Sequence, residues 1–199
     1  MRRIWVSGYR AYELQAFKDD DPKAEVIKEV LKKTLVEMLN QSTEEFWLLT
    51  GPQMGVERWA AEAGLQLKKD YQQLRIAIMS PFADFGNRWQ EDNQMALTKI
   101  KNAVDFAADV SRASYQSPQQ LQNYTHFMLG HSESAILVYD LDSEGKPVWD
   151  YRAIKRWQEN HDYALRLIDF DELQEAAEEW SERQREKKQN DSGGFHSIQ

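Results

Sequence analysis

Short segments rich in apolar residues recur along this chain, separated by longer stretches in which apolar residues stand three or four positions apart. These segments are Arg3–Ser7, Phe46–Thr50, Leu74–Met79, Phe106–Val110, Ala135–Tyr139 and Ala164–Ile168. Runs of this length, bounded by turn residues, are typical of strands in the interior of a sheet. The pattern therefore predicts six strands.

The stretches between these runs have helical spacing and predict amphipathic helices. They are Pro22–Leu39, Gly55–Lys69, a helix around Trp89–Ile100, a helix opening at Ser117-Pro118, Tyr151–Asn160 and Asp171–Lys187. Strands that alternate with helices build parallel sheets. We therefore expect an α/β fold, a Rossmann-like three-layer sandwich in which helices flank a mainly parallel sheet.

Length and composition suit a single domain. The chain has 199 residues, and its hydrophobic content of 41% is enough to bury one continuous core. We expect this domain to cover residues 1–188 and to be followed by a flexible C-terminal tail, 189–199, which has few apolar anchors. Residues 143–163 show no feature that indicates a role beyond packing.

Several classes of function are disfavoured by composition. The chain has no cysteine, and its four histidines are not at zinc-ligand spacing, so we expect no metal site. No signal-peptide core or membrane-length apolar run is visible, so we expect a cytoplasmic protein without membrane association. The net charge of −8 disfavours nucleic acid as a partner. Association of several copies as a homo-oligomer stays open.

Ligand crevices in open parallel sheets lie beyond the carboxyl ends of the strands, where loop amides and helix N-termini collect. The residues that follow the first predicted strand are Ser7, Gly8, Tyr9 and Arg10. A glycine there permits close approach of the backbone, and Arg10 is a candidate for pairing with a phosphate. The alternative is an ordinary turn with an exposed arginine.

The second predicted strand ends in a glycine loop that leads into a helix. Gly51 lets the chain leave the strand sharply, and Gly55 lets the first helical turn approach a ligand. The spacing matches neither the dinucleotide fingerprint nor the P-loop. Glu57 stands at the start of the helix, where it can cap the helix, contact a ribose or orient a water molecule.

Three further candidates follow later strands. Ser80 comes directly after the third predicted strand, and Arg88 a few residues later is a second candidate for anion binding. Asp140 follows the fifth predicted strand, where it can contact a sugar or a cation, or simply make a turn. Because no nucleophile-elbow motif is present, the serines are interpreted as hydroxyl or backbone contacts.

Together these loops resemble those of a known bacterial family. The stretches that carry the resemblance are Ser7-Gly8-Tyr9-Arg10, Gly51–Ala61, Ser80-Pro81-Phe82, Ser117-Pro118 and Tyr139-Asp140. They look like the YpsA-like family, and the resemblance runs from the first strand to about residue 170. It implies the Rossmann-like fold of the SLOG superfamily and a pocket for a nucleotide or a nucleotide-derived signal.

The glycine loop is also similar to loops of two related groups of proteins. One is the DNA-processing protein DprA, and the other is the Lonely Guy phosphoribohydrolases, whose loop ends in a catalytic glutamate. In this chain Trp59 stands where that glutamate is expected, and Glu57 lies two positions earlier. This departure weakens the interpretation as a hydrolase.

The sequence therefore favours a sensor or regulatory protein that binds a nucleotide-type ligand such as ADP-ribose or NAD. In this hypothesis Arg10 or Arg88 contacts a phosphate and Glu57 a ribose, and the remaining contacts come from Ser7, Gly8, Tyr9, Gly51, Gln53, Gly55, Ser80 and Asp140. One alternative is an enzyme that hydrolyses an N-glycosidic or phosphate-linked bond, with Glu57 or Asp140 as general base. Binding of single-stranded nucleic acid, by analogy with DprA, is less favoured.

Overall fold

The alternation of strands and helices is confirmed in a computed structural model, which describes residues 1–18, 20–41 and 43–193. The strands in these ranges are β1 (Arg2–Gly8), β2 (Phe46–Thr50), β3 (Leu74–Phe82), β4 (Phe106–Ser111), β5 (Ser134–Val138) and β6 (Ala164–Ile168). The helices are α1 (Pro22–Leu39), α2 (Val56–Leu67), α3 (Glu91–Ala103), α4 (Gln119–Gly130), α5 (Val148–Gln158) and α6 (Phe170–Gly193).

The six strands form one parallel sheet in the order β4-β3-β2-β1-β5-β6. The chain adds strands outward from β1 to the β4 edge, and then returns through α4 to place β5 on the other side of β1. The strand order therefore reverses beside β1. In doubly wound sheets the ligand crevice forms at such a reversal, outside the carboxyl ends of the strands.

Helices cover both faces of the sheet, which confirms the predicted Rossmann-like sandwich. Helix α1 packs against α2 and α6, and α2 also contacts α3, so these four helices form one layer. Helix α4 packs against β3, β4 and α5 and belongs to the second layer. Strands β1 and β5 lie between the two layers, and Ile4, Val6 and Ile136 are fully buried there.

Most boundaries lie within two residues of the sequence-based expectation, and the larger differences have physical reasons. Strand β3 continues to Phe82, and α5 begins at Val148, three residues earlier than predicted. Pro147, with φ of −64°, already has the backbone geometry of a first helical turn. Helix α6 runs to Gly193 despite its polarity, and an ion pair between Arg183 and Glu29 ties it to α1.

The predicted flexible tail, 189–199, thus has a helical backbone as far as Gly193, and residues 194–199 lie outside the described residues. Its flexibility stays a prediction. Asp21 caps α1, because its carboxylate accepts a hydrogen bond of 2.9 Å from the Lys23 N–H. In the described part of the chain, no helix is long and apolar enough to cross a membrane.

Candidate functional site

The loops that follow β1 and β2 are joined by backbone hydrogen bonds. The Ala11 N–H donates to the Met54 carbonyl at 3.0 Å, and the Val56 N–H donates to the Tyr9 carbonyl at 3.1 Å. Gly55 lies between these two bonds with φ of +115° and ψ of −140°, a conformation open essentially to glycine alone. The glycine therefore allows the two loops to form one rigid edge of the sheet.

The other loop glycine makes room for a carboxylate. A Cβ atom at Gly51 would collide with the carboxylate of Glu57 and would lie 2.6 Å from the hydroxyl oxygen of Tyr124. The N–H of Gln53 donates to Glu57 Oε2 at 2.9 Å. The glycine loop is thus wrapped around the Glu57 side chain. The space beside Gly51 is occupied by the protein's own carboxylate and is not open to a ligand.

Glu57 is almost fully buried, with 3% of its surface exposed, and its carboxylate has three kinds of partner. Besides the Gln53 N–H, Oε1 lies 3.1 Å from Arg10 Nη1 and 3.3 Å from Ser7 Oγ. Through these contacts Glu57 joins the β1 and β2 loops.

A second carboxylate, Asp150 in the first turn of α5, meets the same serine. Ser7 Oγ lies 2.7 Å from Asp150 Oδ2, and Ser7 itself is buried. Burial raises the pKa of Asp150 to about 6, although the hydrogen bond from Ser7 and the charge of Arg10 oppose this rise. Asp150 therefore titrates close to neutrality, in the range that suits acid–base chemistry.

Two more side chains complete this group of charges. Burial raises the pKa of Tyr124 well above its ordinary value, and the charge of Glu57 adds to the rise, so Tyr124 keeps its proton. Burial lowers the pKa of Arg10, but the charges of Glu57 and Asp150 outweigh this effect and raise it overall. We call Ser7, Arg10, Glu57, Tyr124 and Asp150 the inner cluster.

Four members of the inner cluster, Arg10, Glu57, Tyr124 and Asp150, line a cleft of about 900 Å³ between α4 and α5, beyond the carboxyl ends of the strands. This volume lies within the range of about 300–1,000 Å³ that is usual for ligand sites. Its outer part is formed by the exposed side chains of Lys146, Trp149, Arg152, Arg156 and His161 and by the half-buried Trp157. We call this volume the α4–α5 cleft.

The cleft is a positive region on a negative protein. Its lining includes four lysine or arginine side chains and two carboxylates, whereas the whole chain has a net charge of −8. The aromatic rings are also arranged for stacking. The rings of Trp157 and His161 lie 3.8 Å apart and within 3° of parallel, and the Arg152 guanidinium lies 5.6 Å from the Trp149 ring centre.

Four predicted contacts, Ser7, Arg10, Gln53 and Glu57, are brought together in or beside the cleft. Gly51 and Gly55 shape the loops around them. Other predicted residues are placed elsewhere. Gly8 packs between Val138 and Val56, and the Tyr9 hydroxyl donates to the carbonyl of Ser143, although Tyr9 also forms the Gly55 junction through its backbone.

The remaining three predicted contacts lie outside the lining of the cleft. Ser80 is fully buried, and Arg88 is exposed. The Asp140 carboxylate accepts hydrogen bonds from the N–H groups of Asp142 at 2.8 Å and Phe170 at 3.0 Å, so it shapes the turn after β5 and the start of α6. This corresponds to the turn that the sequence offered as the alternative at Asp140.

The sequence interpretation missed the contribution of α4 and α5. Tyr124, Trp149, Asp150, Arg152 and Arg156 all line the cleft, although residues 143–163 were expected only to pack. One signal for α5 was present. Its predicted helix follows the fifth strand, so its first turn had to lie at the same edge of the sheet as Ser7 and Gly51.

We expect the Glu57→Gln substitution to destabilise the fold by about 2–4 kcal/mol, because it removes the counter-charge that lies 3.1 Å from the largely buried Arg10 guanidinium. Urea unfolding at pH 7.5 measures this effect. The matched control is Glu172→Gln, whose ion pair with Arg166 is largely exposed and should matter little. Equal unfolding midpoints for the two variants would contradict the role given to Glu57.

Fold and site together define a Rossmann-like α/β protein with a charged cleft at the strand-order reversal. The chain belongs to the YspA SLOG family, whose model, YpsA, matches residues 4–173. It is 56% identical to a UPF0398 protein of Limosilactobacillus reuteri, over 94% of this chain and 98% of that protein. A UPF0398 protein of Levilactobacillus brevis is 52% identical, over 92% and 95% of the two chains. The family resemblance read from the loops is therefore confirmed.

The fold is similar to that of DNA processing protein A, DprA. The protein from Streptococcus pneumoniae aligns with a TM-score of 0.51 and 14% identity, over 92% of this chain and 56% of that one. DprA from Helicobacter pylori, described for its binding of single-stranded DNA, aligns with a TM-score of 0.49 over 82% and 64% of the two chains. This chain thus spans less than two thirds of either protein, and the likeness shows the fold alone.

Proposed function

We propose that this protein binds a nucleotide or a nucleotide-derived ligand, of the ADP-ribose or NAD type, in the α4–α5 cleft and acts as a sensor or regulatory protein. The observation that carries the proposal is the excess of cationic side chains in the cleft of a chain whose net charge is −8. Clefts lined by one sign of charge concentrate ligands of the opposite sign. Phosphate groups are the anions that arginine recognises best.

The aromatic side chains of the cleft favour a nucleotide over a simple phosphate. Trp149 is 66% exposed, which is unusual for so large an apolar side chain, and it stands beside Arg152. A flat ring next to a guanidinium offers stacking for a base and a charge for the adjoining phosphate. Membership of a SLOG family and the position of the cleft at the strand-order reversal support the same proposal.

The test is a calorimetric titration of the full chain with ADP-ribose, NAD, ADP and cyclic dinucleotides, followed by thermal unfolding with each ligand. We expect at least one ligand to bind, and to stabilise the fold by about 2.7 kcal/mol at one hundred times its Kd. The double variant Arg152→Ala/Arg156→Ala should weaken that binding at least tenfold. Arg88→Ala, which removes an exposed arginine outside the cleft lining, should not.

Each result of this experiment has one interpretation. Binding that Arg152→Ala/Arg156→Ala leaves unchanged would refute the location, and the absence of binding to every ligand would refute the function. The same samples are analysed for released base or phosphate. Turnover would instead support hydrolysis, the second function, which is favoured by a cleft-lining carboxyl group, Asp150, with a pKa of about 6.

A further inference from the structure

The inner cluster contains more hydrogen-bonding capacity than the protein itself uses. Tyr124 is 92% buried, since only 8% of its surface is exposed, and its hydroxyl has no hydrogen-bond partner among the described residues. A buried hydroxyl normally has a partner. Four other buried polar atoms of the described residues also lack one, but Tyr124 is the member of this group that lines the cleft. Its proton is therefore available to a polar group bound at this end.

Asp150 has unused capacity in the same place. In the described residues its carboxylate has one hydrogen-bonding neighbour, Ser7 Oγ, which leaves Oδ1 free to accept from a ligand. Ser7 Oγ also lies 3.3 Å from Glu57, and a hydroxyl has a single proton to donate to its two carboxylate neighbours. An additional donor from a ligand would remove this shortage.

The charges at the inner end argue against a terminal phosphate. Arg10 is already paired with Glu57 at 3.1 Å, so its charge is largely compensated within the protein. Asp150 adds a further negative charge when it is ionised. Two carboxylates beside one arginine repel a phosphate, whereas neutral hydroxyl groups donate readily to them. Lys146, Arg152 and Arg156 form no ion pair within the part of the chain that the structure describes, and they stand at the exposed outer part of the cleft.

We propose that the inner end of the cleft, formed by Arg10, Tyr124 and Asp150, binds the hydroxyl groups of a sugar ring attached beyond the phosphates of a nucleotide. The ligand class is then a nucleoside diphosphate that ends in a sugar, with its phosphates at the outer cations. Asp150 accepts from neighbouring sugar hydroxyls, and Tyr124 donates to a sugar oxygen. This inference rests on the proposed function and specifies the ligand of that same cleft.

The ionisation of Asp150 should control this selectivity. The charged groups that face it are Arg10 after β1 and Glu57 of α2, with the neutral Tyr124 of α4 close by. The side chains of Lys146, Arg152, Arg156, His126 and His161 line the same cleft. As pH rises from 5 to 7.5, Asp150 loses its proton and becomes a better acceptor for hydroxyl groups, while its new charge opposes a phosphate.

The experiment compares ligands that differ only by the terminal sugar, ADP-ribose against ADP and UDP-glucose against UDP, by calorimetric titration of the full chain. For at least one pair, we expect the sugar-bearing ligand to bind tenfold tighter or more at pH 7.5, with this preference shrinking at pH 5. Asp150→Asn should weaken the sugar-bearing ligand at least fivefold, strengthen the diphosphate, and reduce the pH dependence of the preference to the part that comes from the terminal phosphate of the diphosphate. Tyr124→Phe should also reduce the preference.

Matched controls are Asp92→Asn and Tyr71→Phe, which alter the same residue types outside the cleft lining and should leave both affinities unchanged. A merely structural role of Asp150 would weaken both ligands together and would not reverse the effect on the diphosphate. Equal binding of the sugar-bearing ligand and the diphosphate in both pairs would overturn this inference and leave the proposed function intact. Failure of all four ligands to bind would overturn this inference, and failure of NAD and the cyclic dinucleotides as well would overturn the proposed function.

Discussion

Replacing Asp150 with asparagine is expected to stabilise the fold at pH 7.5 by roughly 1–3 kcal/mol, since one unit of pKa corresponds to about 1.4 kcal/mol. The pKa of Asp150 is raised from 3.8 to about 6, mainly by burial. A raised carboxyl pKa means that the folded protein holds this proton more tightly than the unfolded chain. The associated stability is complete below pH 3.8 and is lost as pH rises through 6.

Asparagine carries no charge, so the variant should not lose stability as pH rises through 6. It should also keep the hydrogen bond from Ser7. Urea unfolding at pH 4.5 and pH 7.5 measures the difference, and the gain should be clearly larger at the higher pH. Asp92→Asn, which changes an exposed aspartate in the first turn of α3, is the matched control and should gain nothing at either pH. A variant that is less stable than wild type at pH 7.5 would contradict the burial cost assigned to Asp150.

The stability that Asp150 costs is itself an argument for function. Buried carboxyl groups that destabilise a fold are retained at sites where their charge or proton is used. Here the group faces a cleft and has one hydrogen-bonding neighbour among the described residues. The expected combination for Asp150→Asn, higher stability with weaker binding of a sugar-bearing ligand, would distinguish a binding residue from one that only packs.

The fold could be predicted from the sequence because each element has a strong local pattern. Phe46–Thr50 is a continuous apolar run and Ala164–Ile168 is an apolar segment interrupted by Arg166, and the observed bounds of both strands agree with the pattern. The predicted start of α5 and the predicted end of α6 were less accurate. Pro147 sets the start of α5 through its backbone geometry, and α6 is continued by pairing with α1, which no local pattern reveals.

The site was only half predictable, for a physical reason. The glycine loop and Glu57 belong to one continuous stretch of sequence, so their spacing indicates a strand-to-helix junction. Asp150 meets Ser7 across 143 positions of the chain, and Tyr124 meets Gly51 through the packing of α4 on the sheet. Such contacts depend on the order of the strands in the sheet. The alternation of strands and helices along the chain does not determine that order.

The glycine loop also has a different meaning in the structure from the one its spacing suggested. Two glycines at a strand-to-helix junction indicated a backbone that a ligand approaches closely. Instead, the space beside Gly51 is occupied by the protein's own Glu57 carboxylate, and Gly55 packs against the backbone of Tyr9 and Ala11. The loop therefore organises the inner cluster, while the exposed side chains of α5 offer the larger surface to a ligand.

This interpretation makes Gly55→Ala the most destabilising of the substitutions considered, with an expected cost of about 3–5 kcal/mol. A Cβ atom at this position would lie 2.5 Å from the Tyr9 carbonyl oxygen and from the Ala11 nitrogen, and φ would have to stay near +115°. Both contacts are with backbone, so no side-chain movement can relieve them. The hydrogen bonds that join the two loops would therefore break.

Thermal unfolding of the variant should show a large fall in Tm, since about 1 kcal/mol corresponds to roughly 2–4 °C in a chain of this size. Gly130→Ala is the matched control, because it lies at the end of α4 with nothing within 4 Å of the added Cβ atom. It should be neutral or stabilising by about 0.5 kcal/mol, through reduced freedom of the unfolded chain. Similar Tm values for the two variants would show that the junction between the loops tolerates a side chain, and would contradict the role given to Gly55.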